Sequence, residues 1–383
     1  MSDNSVYITN LGAFLPNPPV DNDNMERILG QVGPRPSRAR RLILRSNGIK
    51  NRHYAIDPTS LEFNFNNAQL TAEAVKKVSE GTIDLNELDC LTSGTSIADQ
   101  LMPNHAVMVQ GELGINPLEV AGTAGVCLAG MTAFKYAYLG IKAGEFKSAI
   151  ATGSELASAS MQARNFQAES DVLVEALGKK PELAFEKDFL RWMLSDGAGA
   201  ALLEPQPAKD RLSLKVDWLH IFSYAGEMET CMYAGAVKNE DGSTTGWQMF
   251  NQEERNNQSV LAVKQDVKLL NENVMLYTVQ KPIAELVERY QLTPDQFDYF
   301  LPHYSSHFFR DEVSYRLQQG GLDIPQERWF TNLSEKGNTG SASIYIMLDE
   351  LYHSGKLEKG QRLLCYIPES GRFSSAMMSL TVA

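Results

Sequence analysis

The segment from Ala124 to Gly130, with the sequence AGVCLAG, decides how this chain is interpreted. It leads into a nearly uncharged stretch, Met131 to Ala143, whose composition is typical of a buried helix. A thiol at the start of such a helix lies beside unpaired backbone N–H groups and the positive end of the helix dipole. Both effects predict a lowered pKa for Cys127 and therefore a nucleophile. Free cysteines are about as often inert core residues, so this prediction needs catalytic partners elsewhere in the chain.

Two such partners occur late in the sequence. His303 ends the apolar run Phe297 to Pro302, and Asn338 precedes a predicted helix that ends near His353. Each alone has a simpler explanation, a polar residue at a strand end and a helix cap. A Cys, a His and an Asn far apart in sequence are nevertheless the components of a covalent thiol site that the fold assembles.

These three segments resemble the signatures of the β-ketoacyl-acyl-carrier-protein synthase III family, which belongs to the thiolase superfamily of condensing enzymes. Two further segments are similar to motifs of the family, RSNGI at Arg45 to Ile49 and SDGAGA at Ser195 to Ala200. All five follow the family's order, so the resemblance covers the whole chain. It implies a homodimer with no bound cofactor, which uses phosphopantetheine thioesters of acyl carrier protein or coenzyme A as substrates.

The resemblance also implies a chemistry for each residue. The Cys127 thiolate attacks an acyl thioester, and the N–H groups of Cys127 and of Gly371, in the segment Glu369 to Arg372, hold the oxyanion. His303 and Asn338 donate hydrogen bonds to the carbonyl of a second thioester and stabilise its enolate. The resulting carbanion attacks the acyl group on Cys127 and forms a carbon–carbon bond.

The sequence departs from the family at two places near these residues. The family's Pro-His-Gln-Ala-Asn motif reads PHYSS here, so that Ser306 replaces the Asn and leaves the orientation of His303 open, with His307 one residue further on. Glu155 ends a predicted strand that approaches the site. It is interpreted either as a buried structural carboxylate or as a second base for an aldol step.

A narrower resemblance concerns the segment Pro36 to Arg41, followed by the Arg45 motif and Arg52 to Ala55. It is similar to bacterial ketosynthases that join two β-ketoacyl chains and cyclise them, forming alkylated cyclohexanediones and dialkylresorcinols. In that interpretation Glu155 supplies the extra proton transfer. The alternatives are a chain-initiating synthase that uses malonyl carrier protein, an acyltransferase of the same fold and an idle partner subunit of a heterodimer. Asn338 counts against the acyltransferase. The presence of Cys127, His303 and Asn338 together counts against a catalytically idle subunit.

Composition narrows the class of protein. The net charge of −12 argues against a general nucleic-acid binder. No apolar run reaches the roughly 18 residues of a membrane span, and the first ten residues lack the basic region of a signal peptide. The four cysteines show neither CxxC spacing nor disulfide density. These features predict a cytosolic protein without a metal site.

One segment is strongly basic although the chain as a whole is acidic, and it is a candidate docking site. Seven cations lie between Arg35 and Arg52. Such a segment is either a solvated helix face or a dock for an acidic carrier protein or the phosphates of coenzyme A. Arg45 coincides with the family's substrate-tunnel arginine. The residues predicted to form the dock are Arg38, Arg40, Arg41 and Arg45.

Strand-like and helical segments alternate and predict an α/β protein with largely parallel pairing. The resemblance implies a thiolase-like five-layer α-β-α-β-α sandwich of two pseudo-repeated halves, residues 1–206 with the nucleophile and 207–383 with His303 and Asn338. The predicted helices include Asn67 to Glu80 and Val260 to Tyr290. The predicted strands are Val6 to Phe14, Asp89 to Ser93, Ser148 to Gly153, Ala198 to Leu203, Leu212 to Phe222, Phe297 to Pro302, Arg362 to Ile367 and Ala376 to Val382. Candidate tunnel-wall residues are Met161, Phe166, Met193, Met228, Met232 and Phe250.

Overall fold

The computed structural model describes residues 5–32, 40–165 and 190–383. Within these ranges the strands are β1 (Tyr7–Phe14), β2 (Val20–Asp21), β3 (Asn51–Arg52), β4 (Cys90–Thr95), β5 (Glu119–Ala124), β6 (Ala149–Glu155), β7 (Gly197–Glu204), β8 (Leu214–Ser223), β9 (Met232–Tyr233), β10 (Ala236–Lys238), β11 (Thr244–Gly246), β12 (Lys264–Gln265), β13 (Tyr299–Pro302), β14 (Arg362–Glu369) and β15 (Ser374–Val382). The helices are α1 (Met25–Leu29), α2 (Arg40–Asn47), α3 (Asn67–Ser79), α4 (His105–Leu113), α5 (Ala129–Ala143), α6 (Ala157–Met161), α7 (Gln252–Asn257), α8 (Val267–Met275), α9 (Lys281–Tyr290), α10 (Arg310–Gln319), α11 (Leu333–Lys336) and α12 (Ser343–His353), with a π-helical turn, Leu276–Gln280, between α8 and α9.

Nine of the strands form one sheet in the order β13-β14-β15-β8-β1-β7-β6-β4-β5. Strand β4 pairs in parallel with β5 and β6, and β13 pairs in parallel with β14. The remaining pairings in this sheet are antiparallel, so the prediction of largely parallel pairing is wrong. One reason is local: β14 and β15 follow each other through a short turn, which only antiparallel strands allow.

The sheet consists of two groups of strands that meet at β1 and β8. Only two residue pairs join these strands, Tyr7 with Lys215 and Ile8 with Leu214. The connection from β7 to β8, residues 205–213, contains the predicted boundary at residue 206. The division of the chain into two halves at that point stays a prediction.

The elements form five layers around three apolar cores, and the middle core extends to both groups of strands. Helices α3 and α4 cover the outer face of β1, β4, β6 and β7. Helices α5 and α12 share the middle core with both groups of strands. Helices α8, α9 and α10 cover the outer face of β14 and β15. Alternate residues of each strand face different cores; Leu363 and Cys365, for example, face the middle core, whereas Leu364 faces the outer one. The predicted α-β-α-β-α sandwich is confirmed.

Element boundaries follow local capping. The helix predicted from Val260 begins only at Val267, because the side chain of Asp266 accepts a hydrogen bond from the Leu269 N–H and caps α8 there. The segment before it forms β12 instead. Helix α5 ends at Ala143 because the next residue, Gly144, is its C-cap and has a φ of 79°, which is readily adopted only by glycine. Among the described helices, none is long and apolar enough to cross a membrane.

Candidate active site

A cavity of about 360 Å³ lies between the two groups of strands. Its wall includes Cys127, Glu155, His303 and Asn338, so residues from four separate segments meet there. Most of the remaining wall is apolar. Of the predicted tunnel residues, Met161, Met193 and Met232 line the cavity. Met228 and Phe250 do not, and Phe166 lies outside the described residues. Met228 instead packs into the outer core, where its carbonyl accepts two hydrogen bonds from Arg372.

Cys127 lies two residues before the first residue of α5. The expected lowering of its pKa is wrong. Burial raises the pKa of the Cys127 thiol, and the nearby carboxylates of Glu155 and Glu369 raise it further. The loss of hydration and the two negative charges outweigh the positive end of the helix. A raised pKa favours the protonated thiol in the resting side chain.

Glu369 is the functional neighbour that the sequence did not reveal. Its Oε2 accepts hydrogen bonds from the N–H groups of Val126 and Leu128, at 2.9 and 3.2 Å. These amides flank Cys127 on both sides, so the carboxylate neutralises the donors that would otherwise favour a thiolate. Gly125 makes room for this contact, since a Cβ there would lie 3.2 Å from the same oxygen. The one available signal was an acidic residue in the turn that carries Gly371.

Gly371 lies beside the cavity rather than in its wall. Its neighbour Ser370 and the preceding Pro368 line the cavity. The Gly371 carbonyl accepts hydrogen bonds from the N–H groups of Cys231 and Met232, at 2.8 and 3.4 Å, which fix the turn between β14 and β15. Its role as an oxyanion donor stays a prediction.

His303 and Asn338 present hydrogen-bond donors to the cavity. His303 follows β13, and burial lowers the pKa of its imidazole to about 4, which keeps the ring neutral. The Oδ1 of Asn338 accepts a hydrogen bond from the Gly340 N–H at 2.9 Å, so its Nδ2 is the group left to donate.

The departure from the family's motif after His303 has a local explanation. The Ser306 hydroxyl accepts a hydrogen bond from the Phe308 N–H and caps the next turn. The His307 ring lies 3.0 Å from the Ser334 hydroxyl and 3.3 Å from the Tyr304 hydroxyl. Both side chains are thus engaged in structural contacts.

Glu155 ends β6 and has a buried carboxyl group. Its Oε1 accepts hydrogen bonds from the Ser96 N–H and hydroxyl and from the Ser341 N–H, at 3.2, 2.6 and 3.1 Å. Burial raises the pKa of Glu155 to about 7, and these hydrogen bonds oppose part of the rise. Its Oε2 accepts no hydrogen bond from the described residues. Hydrogen bonds to Oε1 therefore fix the Glu155 side chain, while its carboxyl group stays ionisable in the cavity wall.

Gly130 on α5 and Gly153 on β6 let the Asn338 loop pack directly against both elements. A Cβ at Gly130 or Gly153 would lie 2.4 or 2.3 Å from the Ser341 carbonyl oxygen. The Ser341 hydroxyl donates to the Ser154 carbonyl at 2.9 Å. Because the backbones touch, a side chain at either glycine would push the Asn338 loop away from Cys127.

The predicted basic dock divides into separate environments. Arg38 lies outside the described residues. Arg40 forms an ion pair with Glu26 at 2.8 Å, whereas Arg41 and Arg45 are exposed on α2. None of these three lines the cavity, so the structure does not place Arg45 in a tunnel wall. Their role in docking stays a prediction.

Arg52, from the same basic segment, is completely buried. Its Nε donates to the Trp192 carbonyl at 3.1 Å, and its Nη1 donates to the Asn22 Oδ1 at 2.6 Å. Burial lowers the pKa of the Arg52 guanidinium to about 10. It ties β3 to the segment before β7 and is a structural residue.

Known proteins share this sequence pattern and architecture. The sequence model of the 3-oxoacyl-[acyl-carrier-protein] synthase III C-terminal region matches residues 287–371. The β-ketoacyl-[acyl-carrier-protein] synthase III of Koribacter versatilis is 25% identical over 380 residues, which cover 97% of this chain and 96% of that protein. The enzyme of the same name from Acholeplasma laidlawii is 24% identical over 354 residues, covering 90% and 89%.

Solved structures show the same fold. AbyA1, a tetronic acid condensing enzyme, has a TM-score of 0.74 at 20% identity and covers 98% of this chain and 99% of its own. A cysteine-to-serine variant of Xanthomonas campestris OleA, solved with lauric acid and lauroyl-CoA, has a TM-score of 0.72 at 18% identity and covers 99% of each chain.

Fold, sequence relatives and structural neighbours together define a thiolase-fold condensing enzyme of the ketosynthase type. The motifs around Cys127, His303 and Asn338 narrow the class of condensing enzyme further. They make the chain similar to the β-ketoacyl-acyl-carrier-protein synthase III enzymes over nearly its whole length.

Proposed function

We propose that this enzyme joins two β-ketoacyl thioesters through an acyl-Cys127 intermediate and cyclises the product to a cyclohexanedione, the precursor of a dialkylresorcinol. One observation carries the cyclisation step. Glu155, with a pKa raised to about 7, lines the same cavity as Cys127, His303 and Asn338. Decarboxylative condensation of a malonyl thioester requires no such carboxyl group, whereas deprotonation of a β-ketoacyl thioester and an aldol closure each require a group that takes and returns a proton near neutral pH.

The first step loads the enzyme. The Cys127 sulfur attacks the thioester carbonyl, the carrier's thiolate leaves, and it takes up the proton that Cys127 releases. Because the resting thiol has a raised pKa, the proton departs as the thioester binds and the charge moves to the carbonyl oxygen. The N–H groups of Cys127 and Gly371 are the proposed donors to that oxygen.

The second step forms the carbon–carbon bond. The Glu155 carboxylate removes a proton from C2 of the second thioester and later returns it to the departing Cys127 sulfur. The Asn338 Nδ2 and one ring N–H of His303 donate to the carbonyl oxygen of that thioester, which stabilises the carbanion at C2. The carbanion attacks the acyl carbon, and the Cys127 sulfur leaves and is reprotonated. Glu155 then removes a proton from the diketide chain, the new carbanion closes the ring on a ketone, and the carboxyl proton passes to the alkoxide.

The substrates are proposed to be phosphopantetheine thioesters of acyl carrier protein or coenzyme A, with no bound cofactor. The relatives from Koribacter and Acholeplasma carry the carrier protein in their names, and one OleA structure contains lauroyl-CoA. Arg41 and Arg45, both exposed on α2, supply a positive surface for an acidic carrier. We also propose a cytosolic location, in keeping with four cysteines that form no disulfide within the described ranges.

We further propose that two copies of the chain associate through β5. This strand ends the sheet, so one of its edges has no partner strand within the described chain. Beside it, Tyr136 and Leu139 of α5 are 43% and 50% exposed, and Met102 is 85% exposed. An apolar surface next to an open edge fits a second copy. Light scattering of the wild type and of Leu139→Asp tests this: the variant is expected to be monomeric, and a monomeric wild type would refute it.

Product analysis by mass spectrometry tests the proposed reaction. Purified enzyme receives a 3-oxoacyl thioester alone, or an acyl thioester together with malonyl carrier protein, and Cys127→Ala serves as the inactive control. A cyclised product from two β-ketoacyl chains supports the proposal. A linear β-ketoacyl product formed only with malonyl carrier protein refutes cyclisation.

The second candidate is the chain-initiating synthase. The 25% identity to a synthase III over nearly the whole chain favours it. Release of CO2 from malonyl thioester that disappears in Asn338→Ala would select this function.

A further inference from the structure

Gln265 is a buried amide in the cavity wall whose hydrogen bonding is incomplete. It is 6% exposed, and its Oε1 is buried without a hydrogen-bond partner among the described residues. Its Nε2 lies 3.4 Å from the hydroxyl of Ser370, which also lines the cavity. The nearby wall residues Val263 and Leu270 are apolar. Since buried amide groups are almost always paired, this amide is arranged for a polar group that occupies the cavity.

The backbone holds Gln265 in this position. In the pairing of β12 with β9, Gln265 lies opposite Met232. The next residue, Asp266, caps α8 and accepts a hydrogen bond from the Lys238 ammonium at 2.9 Å. A side chain fixed on both sides cannot withdraw its amide to solvent by a small loop movement.

The amide also lies at the nucleophile end of the cavity. Ser370 directly follows Glu369, whose carboxylate contacts the amides on either side of Cys127. A Cβ on Gly371, the residue after Ser370, would lie 3.4 Å from a methyl carbon of Val126, the residue before Cys127. Ser370 is therefore close to the first carbons of a chain whose thioester reaches Cys127. A polar group in that part of an acyl chain is a substituent at the β-carbon.

We propose that Gln265, together with Ser370, binds the 3-oxo oxygen of a β-ketoacyl chain. The inference rests on the proposed function, because it names the feature by which that substrate is selected. Rotation by 180° about the Cγ–Cδ bond exchanges the two ends of the amide. The Ser370 hydroxyl then donates to the Gln265 Oε1, and Nε2 donates to the 3-oxo oxygen. A saturated chain leaves the amide unpaired and is selected against.

Equilibrium binding to the Cys127→Ala enzyme tests this assignment, because that enzyme cannot be acylated. The probes are 3-oxooctanoyl-CoA and octanoyl-CoA, which differ only at the β-carbon, and Kd is measured by calorimetry. We expect the 3-oxo chain to bind about tenfold more tightly, the effect of one well-placed hydrogen bond to a buried group. Adding Gln265→Met, which keeps the length of the side chain but not its hydrogen bonds, is expected to bring the ratio of the two Kd values close to one.

Two further variants distinguish a specific effect of the Gln265–Ser370 pair from a general effect of substitution. Gln258→Met makes the same substitution at an exposed position before β12 and is expected to leave the ratio at its starting value. Ser370→Ala removes the second member of the pair and is expected to lower the ratio. It serves as the test if Gln265→Met does not fold, as judged by its melting temperature.

Two results would overturn the inference: equal affinity for both probes in the Cys127→Ala enzyme, or a preference that survives Gln265→Met and Ser370→Ala. Either result leaves the proposed function standing if the wild type still makes a cyclised product. Conversely, a wild type that forms neither acyl-enzyme nor product refutes the proposed function, whatever the binding preference.

Discussion

Replacing Glu155 with glutamine changes one charge and little else. The glutamine carbonyl oxygen can accept the same hydrogen bonds from Ser96 and Ser341 that Oε1 accepts now. In the wild type, burial raises the pKa of Glu155 from 4.5 to about 7, whereas in the unfolded chain the group returns to its ordinary value. The variant therefore isolates the free energy of ionising a buried carboxyl group.

The sign of the effect follows from proton linkage. Between pH 4.5 and 7 the unfolded wild type releases this proton while the folded protein keeps it, so rising pH favours unfolding; above pH 7 the effect is constant. A shift of this size corresponds to about 3 kcal/mol in total, of which about 2 kcal/mol falls above pH 5.5. In Glu155→Gln this residue does not ionise, so it causes no fall in the free energy of unfolding as the pH rises. Its free energy of unfolding relative to the wild type is expected to rise by about 2 kcal/mol from pH 5.5 to 8.

Urea unfolding at half-unit pH steps measures this difference. The range stays above the sequence pI of about 5.1, where low net charge promotes precipitation. Glu358→Gln, which removes an exposed carboxylate, is the control and is expected to show no such trend. A difference between Glu155→Gln and the wild type that does not change with pH would show that the buried carboxyl titrates normally, and the argument for Glu155 as a base near neutral pH would fail.

The same variant tests the chemistry. The rate of ring closure in the wild type is expected to rise with pH through about 7, as Glu155 becomes a carboxylate. In Glu155→Gln, ring formation is expected to fall by about 10²-fold or more relative to Cys127 loading, the usual contribution of a general base. Intact-protein mass spectrometry measures loading, and product analysis measures the ring. An undiminished ring yield would remove Glu155 from the mechanism.

Four further substitutions probe the site and its surroundings. Glu369→Gln keeps an acceptor for the flanking amides but removes a negative charge, so the pKa of Cys127 is expected to fall; iodoacetamide alkylation against pH measures it, and an unchanged profile would contradict the assignment. Asn338→Asp is expected to lower condensation by about 10²–10³-fold while Cys127 acylation persists, and equal loss of both would contradict the role of the amide donor. Arg45→Ala is expected to raise the KM for acyl carrier protein mainly at low salt, whereas Arg52→Ala is expected to lower the free energy of unfolding by about 3 kcal/mol; the opposite pattern would exchange their roles.

Some of this site could be predicted from sequence because its residues lie in short, ordered motifs. Cys127, His303 and Asn338 each stand at the junction of a strand or loop with a neighbouring element, where side-chain type alone indicates chemistry. Glu369 could not be predicted in this way, since its contacts depend on a turn that reaches residues more than 240 positions earlier. The direction of the Cys127 pKa was wrong for the same reason: the helix dipole is a local property, whereas burial and neighbouring charges depend on the assembled fold.

In the sheet, likewise, strand positions follow from local sequence, whereas strand pairing depends on residues far apart in the chain. Strands with strong apolar runs, such as β1 and β15, were predicted close to their observed bounds. Strand β5 was not predicted, because its sequence EVAGTA lies at an exposed edge and has no apolar run. Pairing direction was misjudged because β7 lies between β1 and β6 and is antiparallel to both, an arrangement that no periodicity in the sequence encodes.

The placement of β1 has a consequence for the order of events on the ribosome. Its partner strands β7 and β8 begin about 190 and 210 residues later, so β1 waits roughly 10 s or more, at about 5–20 residues per second, before either partner is made. Helix α12, which covers the inner face of β1 and β7, begins about 330 residues after β1 ends. During translation the nascent chain therefore exposes the apolar face of β1 and β7 until α12 emerges. We expect its synthesis to depend on chaperones that bind such surfaces more than a protein of equal length with local pairing would.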